Sequence, residues 1–112
     1  MTNVRIFKHN ELILKVECIG HSGYAEKGED IVCAGLSSVV QTAMLGLLNV
    51  AKINIKLKRD EEIGFLSFAF ENKEDETDQI SQAILKTMLC GISDLYESYS
   101  DFIKLEVIDN VY

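Results

Sequence analysis

Leu12, Leu14, Val16 and Cys18 alternate with Glu11, Ile13, Lys15 and Glu17. That period of two predicts a strand with one buried face. A shorter apolar run at 4–8 precedes it, and His9-Asn10 between them predicts the tight turn of a β-hairpin. A second pair follows further on. Ile53, Ile55 and Leu57 alternate with Asn54, Lys56 and Lys58, and Leu66, Phe68 and Phe70 share one face of the return strand at 64–70. Asp60-Glu61-Glu62 supplies the polar turn between them. Two stretches change the period. Residues 31–50 are apolar on nearly every side, as expected of a helix covered from two directions. Ile80, Ile84, Met88, Ile92 and Leu95 recur every three or four positions, which predicts an amphipathic helix, with Asp75 or Thr77 as its cap. A last apolar run at 102–107 closes the chain as a strand.

The predicted order is therefore strand, strand, helix, strand, strand, helix, strand. This is an α+β domain spanning 1–112, with helices packed on a mixed sheet. Periodicity does not decide the order of strands within the sheet.

The uncharged stretch 31–51 has the length of a membrane span. Ser37, Ser38, Gln41, Thr42 and Asn49 interrupt it, and strands flank it closely, so a buried core helix is expected and no membrane partner. Eighteen acids against eleven bases give a net charge of −7, which disfavours direct nucleic-acid binding and suits a basic protein or peptide partner. Three cysteines, Cys18, Cys33 and Cys90, form no even disulfide set, and the N-terminal residues lack the apolar core of a signal peptide. A reducing cytoplasm is the expected location.

The chemistry concentrates at 20–37. Cys33 follows His21 by twelve residues, with Gly20, Gly23 and Gly28 in the intervening loop. If Asp30 caps the helix, Cys33 falls in its first turn, where free N–H groups and the helix dipole favour a thiolate. The amides of Cys33 and Ala34 would then suit a developing oxyanion. The bland reading of Cys33 is a small buried hydrophobe. His21 is the base such a thiol needs, and its bland reading is a turn histidine bonded to a carbonyl. Asp30 admits two roles, helix cap or the acid that orients His21. Ser37 lies four residues beyond Cys33 on the same helix face, and either contacts substrate or bonds a backbone carbonyl. A zinc set of Cys18, His21, Cys33 and Cys90 is disfavoured, because only Cys18 and His21 have ligand-like spacing. No P-loop, dinucleotide fingerprint or zinc-protease helix motif is present, and no cofactor or metal is expected.

Gly20-His21-Ser22-Gly23 followed by Gly28-Glu29-Asp30-Ile31-Val32-Cys33-Ala34-Gly35-Leu36-Ser37 resembles the signature of the ribosomal-processing cysteine protease family, Prp. Ser22 stands where the family pattern has alanine. The resemblance implies a cytoplasmic endopeptidase of Firmicutes and related bacteria. Its substrate would be the precursor of large-subunit ribosomal protein L-twenty-seven, from which it removes a short, basic N-terminal region. The resemblance also implies a homodimer, with His21 as catalytic histidine, Cys33 as nucleophile, and Asp30 and Ser37 near the site. On this reading the 22–29 loop closes over substrate, with Gly23 and Gly28 as hinges. Two rivals make different predictions. A non-catalytic ribosome-assembly or peptide-binding protein holds the peptide uncut, and a redox-sensing thiol changes partner binding on oxidation.

Overall fold

A computed structural model of the chain describes residues 1–20 and 27–110. The elements are β1 (Thr2–His9), β2 (Leu12–Ile19), α1 (Lys27–Asn49), β3 (Ile55–Asp60), β4 (Phe65–Phe70), a short 3₁₀ turn (Lys73–Thr77), α2 (Gln79–Ser98) and β5 (Ile103–Ile108). They form the expected α+β arrangement, two helices on a five-stranded mixed sheet of order β3-β4-β2-β1-β5. Only β1 and β5 pair in parallel; the other neighbours are antiparallel.

Val4 and Ile6 of β1, Val16 of β2, Phe68 of β4 and Ile103 of β5 face the helices and are at most 1% exposed. Val32, Leu36, Val40 and Leu47 of α1 meet them, together with Leu85, Met88 and Ile92 of α2. From Ile31 to Asn49, α1 is long and apolar enough to cross a membrane. Here its buried side chains belong to the same core as the sheet and α2. Gly46 and Gly91 let the two helices approach closely. A Cβ on Gly46 would stand 3.3 Å from Ile84, and one on Gly91 would stand 3.3 Å from Val39. The alternate residues of the sheet carry charge instead, as in the Lys15–Glu17 pair at 3.1 Å and the Lys104–Glu106 pair at 3.5 Å.

The first hairpin turns one residue later than its pattern suggests. Asn10 and Glu11 both have positive φ, 49° and 68°, the left-handed pair that a two-residue turn needs to match strand twist. A bulge opposite Phe7 and Lys8 then breaks the alternation in β2. Ile13 and Leu14 are both buried, and Leu12, expected inward, is only half-buried.

Gln82 of α2 repairs that bulge. β4 pairs with β2 only from Lys15 onward, leaving Ile13 without a strand partner on that side. The Gln82 side chain takes its place. Its Oε1 accepts from Ile13 N at 2.9 Å, and its Nε2 donates to Ile13 O and Glu76 O, each at 2.9 Å. Gln82 is 6% exposed, so water cannot readily substitute. Gln82→Ala is expected to cost about 2–4 kcal/mol, since it strands buried backbone donors and acceptors. Urea denaturation checks this, and a loss below about 1 kcal/mol would show that the bulge does not depend on the side chain.

The same anchoring rotates α2 relative to its predicted stripe. Ser81, Gln82, Leu85, Met88 and Ile92 are buried, whereas Ile80 is 52% exposed. The cap is Asp78 rather than Asp75 or Thr77. Its Oδ2 accepts from Ser81 N at 2.9 Å and Ser81 Oγ at 2.7 Å, and both bonds hold its carboxyl below the usual carboxylate range.

A larger difference concerns α1. It begins at Lys27, so Gly28 and Asp30, expected in a loop and at a cap, are helical residues. Nothing at 27–30 stops a helix: proline is absent, and Gly28 costs only about 1 kcal/mol against alanine. Once nucleated, each added residue extends the ladder by one hydrogen bond.

Candidate active site

A cavity of about 480 Å³ opens where three parts of the chain converge. Thr2, Cys18 and Gly20 of the β1–β2 hairpin form one side. Cys33, Leu36, Ser37, Val40 and Gln41 of α1 form the second, and Arg59 to Glu61 with Gly64 to Leu66 of the β3–β4 hairpin form the third. Leu36, Val40 and Leu66 make part of the walls apolar. Arg59, Asp60 and Glu61 bring charge to the third side. Such a mixture suits an extended peptide more than a compact apolar ligand.

Cys33 and Ser37 line this cavity together, as their one-turn spacing predicts. Cys33 is half-buried, and its Sγ lies 3.0 Å from Thr2 Oγ1. Thr2 Oγ1 also donates to the Gly20 carbonyl at 3.3 Å. Gly20 has φ +125°, and a Cβ there would overlap Met1 O and stand 2.8 Å from Thr2 Cα. This tight seat ties the end of β2 to the first residues of β1. His21, Ser22 and Gly23 lie outside the described residues.

One expectation about Cys33 changes. It is the seventh residue of α1, well past the turn with free donors. In a helix the N–H groups of Cys33 and Ala34 bond to the carbonyls four residues earlier, so they cannot receive an oxyanion. Dipole stabilisation also fades beyond the first turn. Any activation of this thiol must come from side chains around it. Asp30 is likewise no N-cap, because three helical residues, beginning with Lys27, precede it.

The other cysteines differ in kind. Burial pushes the Cys18 thiol up to about 12, so it stays protonated at neutral pH although it lines the same cavity. Cys90 is exposed on α2 and lines no part of it. Among the described residues, no three His, Cys, Asp or Glu side chains gather to hold a metal ion.

Thr2 and the β3–β4 hairpin were not singled out from the sequence. For Thr2 a signal existed, since it has the parity of Val4 and Ile6 and must share their buried face. Arg59, Asp60 and Glu61 offered none, because only strand order brings their hairpin beside α1.

A family model for the cysteine protease Prp matches residues 1–104. The chain belongs to the Prp family of cysteine proteases. It is 32% identical over 104 residues to the ribosomal processing cysteine protease Prp of Bacillus subtilis, covering 92% of this chain and 91% of that one. Its fold is shared by a Streptococcus mutans protein of known crystal structure, with TM-score 0.91 and 25% identity over 98% of this chain and 96% of the other. It is also shared by the Prp of S. aureus, solved with a covalently linked product peptide, with TM-score 0.83 and 28% identity over 96% of this chain and 99% of that one.

Proposed function

We propose that this Prp-family protein is an endopeptidase in which Cys33 is the nucleophile and His21 its base. The observation that carries this reading is the position of Cys33 Sγ in a peptide-sized cavity, with Gly20, the residue before His21, lining the same space. His21 takes the thiol proton and Cys33 Sγ attacks the scissile carbonyl carbon. The tetrahedral intermediate collapses as the C–N bond breaks, and the imidazolium returns its proton to the departing amine. Water, deprotonated by His21, then hydrolyses the thioester and regenerates the thiol. A peptide covalently linked to the S. aureus relative fits an intermediate of this kind. The oxyanion's donors lie elsewhere than the Cys33 and Ala34 amides, which the helix has already engaged.

The proposed substrate is the precursor of ribosomal protein L-twenty-seven, cut at its N-terminal extension. The formal charge of −7 favours approach of a basic ribosomal protein. Asp60 and Glu61 bring carboxylates to the cavity itself. Incubating the chain with the precursor and weighing the products tests this. One cut, releasing the short N-terminal segment, is the expected result. An intact precursor that nonetheless co-elutes with the chain would favour a non-catalytic binding protein.

We also propose that two copies associate through α1 and α2. An apolar groove of about 580 Å³ runs between the helices, lined by Val39, Ala43, Gly46, Val50 and Ile84, and Val50 is 66% exposed. Sedimentation equilibrium should give twice the chain mass of 12.6 kDa, and Val50→Glu, at an exposed groove position, should return the monomer. A monomeric parent would remove the idea.

A further inference from the structure

We propose that Thr2 is a positioning residue for the Cys33 sulfur, through a hydroxyl that exchanges its role as the thiol loses its proton. This rests on Cys33 being the nucleophile. Thr2 Oγ1 touches two groups, Cys33 Sγ at 3.0 Å and the Gly20 carbonyl oxygen at 3.3 Å. The hydroxyl owns one proton and the carbonyl can only accept. With that proton on the carbonyl, a lone pair of Oγ1 faces Cys33 and receives the S–H. A thiolate has no proton to offer. The same hydroxyl then turns about its C–O bond and donates to the sulfur instead. No heavy atom moves. A long neutral bond to Gly20 is given up for a charge-assisted bond to sulfur, the stronger kind.

The placement of Thr2 supports more than a chance contact. It is 6% exposed, on the strand face otherwise filled by Val4 and Ile6. A buried hydroxyl there must be bonded or costs stability. Its backbone is fixed by Thr2 N donating to Phe102 O at 2.9 Å and by pairing with Ile103 of β5. Branching at Cβ restricts its side-chain rotamers. Oγ1 is thus a rigid stop for a sulfur on the facing helix. The exchange has a second consequence. Gly20 immediately precedes His21, so the carbonyl released when the sulfur is charged belongs to the residue that leads into the base.

The role matters because α1 gives Cys33 no free amide and no dipole end. A side-chain donor is what remains among the described residues that touch the sulfur.

Thr2→Val and Thr2→Ser separate the hydroxyl from the shape. Valine keeps the branching without the hydroxyl, and serine keeps the hydroxyl without the methyl. Two quantities are read: kcat and KM on the precursor peptide, and the rate at which iodoacetamide labels Cys33, resolved by peptide mass spectrometry. Thr2→Val should lower kcat about tenfold at a KM within about twofold, the loss of one hydrogen bond to a charged group, and slow Cys33 labelling by a similar factor. Thr2→Ser should restore both to within about threefold. Unchanged kcat and labelling in Thr2→Val would overturn the proposal. So would Thr2→Ser as impaired as Thr2→Val, since the defect would then be one of packing. If Thr2→Val does not fold, the serine variant's labelling rate against the parent decides. The labelling arm stands without turnover: a parent that never cleaves peptide sinks the nucleophile reading, whereas equal labelling of parent and Thr2→Val sinks this one.

Discussion

Cys33→Ala is expected to abolish peptide cleavage, a fall of at least about 10³-fold, and to leave the fold in place. Alanine is the best helix former, so α1 continues through the substitution undisturbed. Cys33 is half-buried, and among the described residues its sulfur bonds Thr2, whose hydroxyl keeps Gly20 as partner. No other thiol can take over. Cys18 shares the cavity but is held neutral by burial, with its ionisation pushed up to about 12, and Cys90 is exposed on α2. Cys33→Ser should be almost as inactive, because a serine hydroxyl is a far weaker nucleophile without a base tuned to it. The measurement is the cleavage rate beside a thermal melt. A rate within tenfold of the parent, with an unchanged melt, would dismiss Cys33 as the nucleophile.

Gly20→Ala is expected to damage both fold and site, with a stability loss on the order of 3 kcal/mol. Two independent effects add. At φ +125° an L side chain is strained wherever it sits. The new methyl would also overlap Met1 O, and it would stand 2.8 Å from Thr2 Cα and 3.3 Å from Met1 C. These are backbone atoms, and they cannot swing aside as the end of a long side chain does. The Thr2 backbone is held by its bond to Phe102 O and its ladder to β5, so relief requires shifting a strand end or reversing the Gly20 peptide. Either movement withdraws the Gly20 carbonyl from Thr2 and disturbs the Thr2 contact with Cys33. Urea midpoint and cleavage rate should therefore fall together. A variant with full stability and activity would mean that Gly20 serves only as an ordinary turn residue.

Alternation and helical spacing along the chain were enough for the seven main elements, their order and the α+β class, because each element buries one face and its period records that face. The paired motif around His21 and Cys33 was legible for a similar reason: glycines, histidine and cysteine at fixed separations are local features. Local signals failed where several competed. Asp30, Asp75, Thr77 and Asp78 are all chemically able to cap a helix. Docking on the sheet selected Asp78 for α2, and α1 extends back to Lys27 without using Asp30 as a cap. The β2 bulge likewise left no mark in the pattern, since Ile13 and Leu14 are both apolar and either suits the core. Gln82 lies off the predicted stripe of α2, and only the tertiary fold, in which β4 stops short of Ile13, buries it.

The cavity lay furthest from view. It joins Thr2, Gly20 and Asp60 to Cys33 of α1, and only the sheet order β3-β4-β2-β1-β5 sets those three beside the helix. Composition and periodicity record which faces are largely buried, although a bulge in β2 and the docking of α2 shifted the faces at Leu12 and Ile80. Which buried faces meet depends on long-range pairing, and pairing alone decided that the sulfur at Cys33 would find a threonine hydroxyl instead of a helix end.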